Sequence, residues 1–582
     1  MIGSTNLRKR SWAWTRVFSA ALLLLLLAQL VSLLWLIWNH TPLVPTLDEW
    51  EMANFLELAD QGRLDLFTFW GFQNEHRIFL PRLILYALIN LTGWQRQIIM
   101  TVNLGIAIIT AMFIGAAARR TLGTSTFIAI SMPLLMLLFS FAQYENWLFA
   151  FQTNFLLAAC GIACCLYGLT PQTPGYPLGR SGLILAFGGA IVASLSTLAG
   201  LLAWPAFLLA SWRFGRWQTA LWCASATAII IPYFIGFPKS TTTVAQSREL
   251  LEYALTYLGA PLGFPTVGLA MTYGGLGLVL MALAIGILWR LEVSLSTIMP
   301  WLTLGLYALA GMALTTLGRA GFGREQALTS RYQLFSSLWW ISLLVVSAFV
   351  VRLRRQRHGR AMASSGLAWH ATVTIAVLVT SILFVGLLRA NALGFVEAQE
   401  WQSEQIAHED CALHYNTAPD DCLRYFYVSA PIVRIHLAFL EQHQFNIFRG
   451  QSPDLERLPD NHSALAIIDT VARQPGDSQA LVVNGDQPMQ VAGWALDRVA
   501  AAPVAAVYLL IDDRYTYRTS YGSDRPDVAA TLSLPAVSRV GFTATLPAGI
   551  FTPGKHTLNV RTVTADGRAR ADGTQPIVIE VR

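Results

Sequence analysis

Residues 20–50 read AALLLLLLAQLVSLLWLIWNHTPLVPTLDEW and decide the fold. The first part, residues 20–38, is an almost uninterrupted apolar run that is long enough to cross a bilayer as an α-helix. Four basic residues precede it, Arg8, Lys9, Arg10 and Arg16. Since basic flanks stay in the cytoplasm, this span is predicted to run outward, which places Asp48 and Glu49 on the outer face near the membrane surface.

The composition indicates a polytopic membrane protein. Of 582 residues, 54% are hydrophobic and only 13% are charged, whereas an average soluble domain carries about 25% charged residues. The net charge of +6 comes from basic residues at the ends of spans, and it is therefore not a sign of nucleic-acid binding. The first apolar run is too long for the core of a signal peptide, so we expect a retained anchor.

Eleven spans are predicted, with the N-terminus inside and the C-terminus outside. They are residues 20–38, 98–118, 122–141, 147–169, two short spans within 181–212 that meet near Ser196 and Thr197, 217–237, 267–288, 298–317, 332–351 and 369–388. The first outside loop, residues 39–97, contains an apolar run at 79–94 that is marginal for a crossing. It is interpreted as a helix lying along the membrane, and a crossing there would change the count.

Three regions follow from this pattern. Residues 1–390 form the predicted membrane domain, and residues 391–477 are a mixed, partly helical extracytoplasmic linker. Residues 478–582 alternate in hydropathy between proline and glycine turns, which predicts an antiparallel, Ig-like β-sandwich. Cys411 and Cys422 are placed outside, where they could form a disulfide.

The acidic pair Asp48 and Glu49 admits two interpretations. Carboxylates favour helix N-termini, so the pair could simply cap a helix that begins near Trp50. Alternatively, it could supply a general base or a metal ligand at the membrane surface, facing a group carried on a lipid. No cofactor is identified by the sequence, although a divalent cation at these carboxylates is left open.

Further polar residues are predicted outside, near lipid head groups, where arginine is otherwise disfavoured. They are Glu75, His76, Arg77, Arg82, Glu145, Arg319, Arg324 and Arg331. An arginine fork can bind a phosphate through two hydrogen bonds, which makes these arginines candidates for a phosphate site. Interfacial anchoring and snorkelling of the arginines to lipid phosphates are the alternatives.

These features together resemble the GT-C superfamily of membrane glycosyltransferases, whose members share an acidic motif in the first outside loop. Asp48 and Glu49 match that motif, and the segment from Glu75 to Arg82 is similar to the family's His-Pro-Pro-Leu-like segment, without its proline pair. The resemblance implies a polyprenyl-phosphate-linked sugar as donor. It also implies Asp48 as the base that activates an acceptor hydroxyl, with Glu49 in support.

Other functions remain open at this point. A transporter or flippase for lipid-linked saccharides, or a polymerase or ligase of such saccharides, would need similar outer arginines. The chain has no Walker A motif or dinucleotide fingerprint, so an activated lipid donor is the expected energy source. The expected partners are a glycan, lipid or protein acceptor and membrane lipids, in a bacterial-type inner membrane with a periplasmic C-terminal domain.

Overall fold

The structure is a computed structural model. It describes residues 20, 23–39, 41–171, 179–210, 215–238, 246–293, 295–358, 366–413, 415, 418–449, 455, 458–461, 463–472, 474–475, 481–513, 515–534, 537–546, 550–573 and 575–582. The basic residues before the first span, Arg8, Lys9, Arg10 and Arg16, lie outside the described residues. The chain divides into two compact units. The first comprises Met1–Thr41, Leu64–Leu88 and Arg96–Ser403, and the second comprises Pro42–Arg63, Ile89–Gln95 and Glu404–Arg582.

The helices are numbered in chain order over the described residues. They are α1 Leu23–Asn39, α2 Glu51–Asp60, α3 Leu66–Trp70, α4 Phe79–Thr92, α5 Arg96–Leu122, α6 Thr124–Leu138, α7 Tyr144–Leu148, α8 Thr153–Leu169, α9 Arg180–Ser194, α10 Ala203–Leu208, α11 Arg216–Phe234, α12 Ser247–Gly263, α13 Val267–Arg290, α14 Met299–Arg319, α15 Gln333–His358, α16 Gly366–Ala407, α17 Glu409–Leu413, α18 Asp420–Arg424, α19 Ala430–Gln442 and α20 Pro526–Thr531.

The predicted helical membrane domain is confirmed. Among the described residues, seven helical stretches are long and apolar enough to cross a membrane, and four shorter apolar helices accompany them. The seven are Arg96–Leu122, Thr124–Leu148, Ala150–Leu169, Val267–Arg290, Met299–Phe322, Ser330–Gln356 and Val377–Leu413. Each of the eleven predicted spans coincides with a helix, and the region 181–212 breaks between α9 and α10 as predicted.

Small residues allow close helix packing in the first unit. A Cβ atom at Gly259 in α12 would lie 1.8 Å from the carbonyl oxygen of Ala270 in α13. A Cβ atom at Gly274 would lie 2.1 Å from the carbonyl oxygen of Leu255. Only glycine permits this approach of two backbones, which is the usual role of small residues between membrane helices. The close packing fixes α12, whose first turns carry polar residues of the site described below.

The helical part of the second unit combines distant stretches of the chain. Residues 42–63, which contain Asp48 and α2, belong to the same unit as α17, α18 and α19. Cys411 and Cys422 form a disulfide between α17 and α18, with their Cα atoms 6.2 Å apart, so the predicted bridge is confirmed. Helix α16 continues past residue 390 to Ala407, and the C-terminal stretch of the second unit begins within the predicted linker, at Glu404.

The C-terminal part of the second unit is a two-sheet sandwich. Its strands are β1 Ala464–Val471, β2 Gln474–Pro475, β3 Leu481–Val483, β4 Met489–Asp497, β5 Ala506–Ile511, β6 Tyr515–Arg518, β7 Ser520–Ser523, β8 Gly541–Leu546, β9 Gly554–Val563, β10 Arg570–Asp572 and β11 Ile577–Val581. One sheet has the order β2-β1-β4-β8-β7 and the other β3-β11-β9-β5-β6, with β10 beside β9.

The sandwich differs from its prediction in two respects. Strand β1 starts at Ala464, before the predicted boundary at 478, and it occupies an inner position in its sheet beside β4. Strands β3 and β11 pair in parallel, whereas the other strand pairs are antiparallel. Buried side chains of both sheets, such as Val491 and Leu509, form a shared core, which is what a sandwich requires.

Candidate active site

The acidic pair lies on a short, conformationally constrained turn. Residues Leu47–Trp50 form one turn of 3₁₀ helix, and Leu47 has a φ of 50°, a left-handed conformation that non-glycine residues seldom adopt. The backbone N–H of Leu47 donates to the carbonyl of Phe426 at 2.7 Å. Because such strain persists only where the surroundings enforce it, this turn is a candidate functional position.

The two carboxylates have different roles in the turn. Glu49 is 2% exposed, and its Oε2 accepts a hydrogen bond from the backbone N–H of Thr46 at 3.4 Å. Its carboxylate therefore caps the helix, as the first interpretation predicted. Asp48 is half-buried, so it is the more exposed residue of the pair.

A buried histidine supports the turn from within the same unit. The ring of His436, on α19, stacks on Trp50 with centroids 6.0 Å apart and an angle of 12° between the planes. Its Nδ1 lies 2.7 Å from Oε1 of Glu57 on α2. Both Trp50 and His436 are buried. The residue that directly follows Asp48 and Glu49 is thus fixed by a histidine that the sequence analysis did not identify.

The first unit holds a second carboxylate on a tight turn. Asn74 has a φ of 50°, and the backbones of Gln73 and His76 exchange hydrogen bonds of 2.7 and 2.8 Å around it. Oε1 of Glu75 lies 2.5 Å from Nη2 of Arg319, at the end of α14. Glu75 and Arg319, two of the predicted site residues, are therefore brought together although they are 244 residues apart in the sequence.

The ionisation of this turn follows from its surroundings. Burial raises the pKa of Glu75, but the charge of Arg319 opposes this effect, and the pKa lies below its ordinary value. Burial lowers the pKa of His76, and Arg319 lowers it further against the opposing effect of Glu75. The backbone N–H of Leu198 donates a hydrogen bond of 3.3 Å to Nδ1 of His76. Nδ1 can accept this bond because the ring is neutral.

Arg77 is a structural residue of the same loop. Its side chain is buried, and its guanidinium donates to three backbone carbonyls, those of Trp70, Tyr233 and Ile235. Its own backbone N–H donates to the hydroxyl of Tyr233 at 2.9 Å. Arg77, predicted as a phosphate ligand, instead joins the loop to the end of α11.

Arg82 has a comparable role one turn into α4. It is 1% exposed, and its guanidinium donates to the carbonyls of Phe69, Gly71 and Phe72 at 2.6–3.3 Å. Backbone carbonyls are good partners for a buried guanidinium, which would be costly to leave unpaired. Arg82 therefore holds the end of α3 and the loop after it, and a phosphate would have to displace these carbonyls.

Glu145, which is buried, and Arg331, which is half-buried, form an ion pair. Arg331 Nη1 lies 2.5 Å from Glu145 Oε1, and Glu145 Oε2 accepts from the hydroxyl of Ser330 at 2.6 Å and from the N–H of Arg331 at 3.1 Å. Asn146 adds a bond to the carbonyl of Arg331. The segment around Glu145, predicted to lie outside near the lipid head groups, is mostly buried within the protein.

The third arginine of this region has a partner that the sequence analysis missed. Arg324 Nη1 lies 3.0 Å from Oε2 of Glu252 on α12, and Arg248 Nε lies 2.8 Å from the other oxygen of Glu252. The spacing of Arg248 and Glu252, four residues apart on a helix, was a readable signal. The pairing of Glu252 with Arg324 could not be predicted from the sequence, because it depends on the tertiary fold.

The three arginines therefore share one arrangement. Three successive 3₁₀ turns follow α14, at Ala320–Phe322, Arg324–Leu328 and Ser330–Tyr332. Arg319, Arg324 and Arg331 lie on or beside them, and each pairs with a carboxylate from another element. Burial raises the pKa of Tyr253, and the charges of Arg319 and Arg331 oppose this rise. Guanidinium groups on neighbouring turns are suited to binding an anionic group such as a phosphate.

Two predicted sets of residues are thus placed by the structure. Asp48 and Glu49 belong to the second unit, and the arginines with Glu75, His76 and Glu145 belong to the first. Within the described residues, no cluster of three or more His, Cys, Asp or Glu side chains is arranged to hold a metal ion.

Comparison with known proteins gives a distant structural likeness. No family model matches the chain, and no curated protein matches it. The chain is similar to the crystal structure of ArnT from Cupriavidus metallidurans bound to undecaprenyl phosphate, at 15% identity and a TM-score of 0.43, over 72% of this chain and 87% of that one. The apo structure of the same protein gives 16% identity and a TM-score of 0.42, over 73% of this chain and 88% of that one. At these TM-scores the likeness assigns no activity or site residue to this chain.

Proposed function

We propose that this protein is an integral membrane glycosyltransferase that transfers a sugar from a polyprenyl-phosphate donor to an acceptor hydroxyl on the outer face of the membrane. The observation that carries the proposal is the turn at Asp48. A half-buried carboxylate follows a left-handed Leu47, a few residues after the first membrane helix, while its neighbour Glu49 is occupied in capping. We assign the role of general base to Asp48, the more exposed of the two carboxylate residues.

The reaction requires one base and one phosphate leaving group. The Asp48 carboxylate takes the proton of the acceptor hydroxyl as the hydroxyl oxygen attacks the anomeric carbon. The bond from that carbon to the phosphate oxygen breaks, and the polyprenyl phosphate leaves with the bonding electrons. A single displacement of this kind inverts the anomeric configuration. Proton and charge balance without any further reactant.

The phosphate is assigned to the arginines on the 3₁₀ turns. The ion pair with Glu75 is made by one nitrogen of Arg319, Nη2. A guanidinium has five N–H donors, so one ion pair does not use all of them. Arg324 is paired at the surface, where it remains accessible. We assign phosphate binding to Arg319, Arg324 and Arg331, and the positioning of the loop to Arg77 and Arg82.

Orientation and partners complete the proposal. The outer leaflet supplies the lipid donor, and the acceptor is a glycan, a lipid or a protein. A bacterial-type inner membrane with the second unit on the periplasmic side satisfies both the positive-inside rule and the disulfide between Cys411 and Cys422, which needs an oxidising compartment.

A transfer assay with a panel of polyprenyl-phosphate sugars tests this function. Asp48→Asn is expected to retain the fold and to lower turnover by about 100-fold or more, the usual scale for the loss of a general base. Asp421→Asn serves as the matched control, since Asp421 is an exposed carboxylate of the same unit. Equal activity in the two variants would show that Asp48 is not the base, and the absence of transfer from every lipid-linked sugar would disprove the function.

A further inference from the structure

Helix α19 is apolar on two opposite sides. Val433 and Leu437 are fully buried within the second unit, as the core side of a helix should be. On the other side Ile432 and Ile435 are each 40% exposed, and Val428, just before the helix, is 82% exposed. A helix that only packed against a protein core would carry polar residues on its outer side.

The segment that carries Asp48 lies beside the chain that leads into α19 and also exposes apolar residues. Leu43 and Leu47 are both exposed. The backbone bond from Leu47 to the carbonyl of Phe426 joins this segment to the chain two residues before Val428. We call the five residues Leu43, Leu47, Val428, Ile432 and Ile435 the apolar face of the second unit.

The position of Leu43 in the chain indicates what covers this face. It lies four residues after Asn39, the last residue of the apolar helix α1. A chain advances at most about 3.6 Å per residue, so Leu43 lies within about 14 Å of the end of that helix. Trp35 and Trp38, in the last turn of α1, are large exposed aromatics of the kind that mark the membrane–water boundary.

The flanks of the face have the same character. Tyr425 and Tyr427, next to Val428, are half-buried, which leaves part of each ring at the surface. Tyrosine is enriched at head-group level because its ring is apolar and its hydroxyl is polar. Contiguous exposed apolar residues on a protein surface usually mark a protein or membrane contact.

We propose that the apolar face lies in the head-group region of the bilayer, so that α19 holds the second unit against the membrane. This contact would present Asp48, adjacent to Leu47, at the lipid surface. The inference depends on the exposure of these residues and on their nearness in the chain to α1, and it does not require the proposed transferase activity.

Photo-crosslinking of the full-length protein in liposomes tests the contact. The photoreactive residue p-benzoylphenylalanine replaces Ile435 in one variant and Ile432 in a second. The control is Val499, an apolar residue of the sandwich that is 83% exposed. The liposomes contain phosphatidylethanolamine and phosphatidylglycerol, and lipid adducts are measured by intact-protein mass spectrometry.

At positions 432 and 435 we expect lipid adducts at least about tenfold above those at position 499, as for an interfacial helix whose apolar side enters the bilayer. Adduct levels equal to the control at both positions would overturn the proposal. Crosslinked dimers in place of lipid adducts would also overturn it, since they would show that a second copy of the chain covers the face.

Discussion

His76 is held neutral by its surroundings, and this gives the protein an acid-sensitive residue. Burial and Arg319 lower its pKa below the ordinary value of 6.5. The unfolded chain therefore binds a proton at His76 more readily than the folded protein does. The stability contributed by neutral His76 is complete above pH 6.5 and is lost as the pH falls towards the lower, folded-state pKa.

We therefore expect the melting temperature to fall between pH 7.5 and pH 5.5. The variant His76→Gln offers an amide oxygen to the N–H of Leu198 and does not titrate, so its melting temperature should change less over that range. Thermal unfolding in detergent at both pH values measures the difference. An unchanged pH dependence in His76→Gln would assign the effect to another residue.

His436 is expected to act on the reaction through Trp50. His436→Phe preserves a ring against Trp50 and removes the bond to Glu57, which a phenyl ring cannot make. Loss of one partner of a hydrogen bond to a charged group costs about 1.5–3 kcal/mol, and we expect kcat to fall about tenfold or more with an unchanged KM for the donor. Glu57→Gln, which retains an acceptor oxygen for the imidazole, should be close to wild type. A rise in donor KM with normal kcat in His436→Phe would contradict a role in positioning the base.

At the scale of elements, hydropathy was sufficient to locate the helices. Long apolar runs predicted the position of each of the seven helical stretches that are long enough to cross a membrane, and the break near Ser196 and Thr197 followed from a run too long for one crossing. The sandwich was recognised from alternation, although β1 was missed because residues before 478 read as mixed. Cys411 and Cys422 were paired correctly from their polar surroundings.

The partners of polar side chains could not be predicted in the same way. Glu57 and His436 are 379 residues apart, and Arg324 and Glu252 are 72 apart. Hydropathy along the chain carries no information about which charged residues meet. Arg77 and Arg82 were assigned to phosphate on the basis of residue type, whereas their guanidiniums bond to nearby backbone carbonyls.

The 3₁₀ turns after α14 can be tested through their most exposed arginine. Arg324→Ala is expected to raise the donor KM about tenfold, as for one lost charge-assisted bond to phosphate. It should leave the melting temperature nearly unchanged, because exposed ion pairs contribute only about 0–1 kcal/mol. Arg248→Ala is the matched control, since Arg248 bonds the same Glu252 carboxylate from a still more exposed position. A similar effect in both variants would point to Glu252 rather than to donor binding.

At the scale of the whole molecule, the second unit unites the Asp48 segment with the C-terminal region. The bond from Leu47 to Phe426 and the contacts of His436 with Trp50 and Glu57 all involve residues before 449. The sandwich strands begin only at Ala464. The region first interpreted as a linker therefore contains the residues that support the turn at Asp48, and the sandwich can be removed without deleting them.

Two truncations separate these roles. A chain that ends after Arg449 should retain a substantial part of its turnover on a small soluble acceptor, because the partners of Leu47 and Trp50 remain. A chain that ends after Ser403 should lose turnover by about 100-fold or more, as expected when a general base is no longer held in place. Alkaline phosphatase fused to the C-terminus of each truncated chain should be active if that terminus is periplasmic. Equal phosphatase activity of the two fusions would show that both chains insert in the same orientation. Equal turnover by the two inserted chains would show that residues 404–449 do not support Asp48. Loss of all turnover in the longer chain would instead make the sandwich part of the active site.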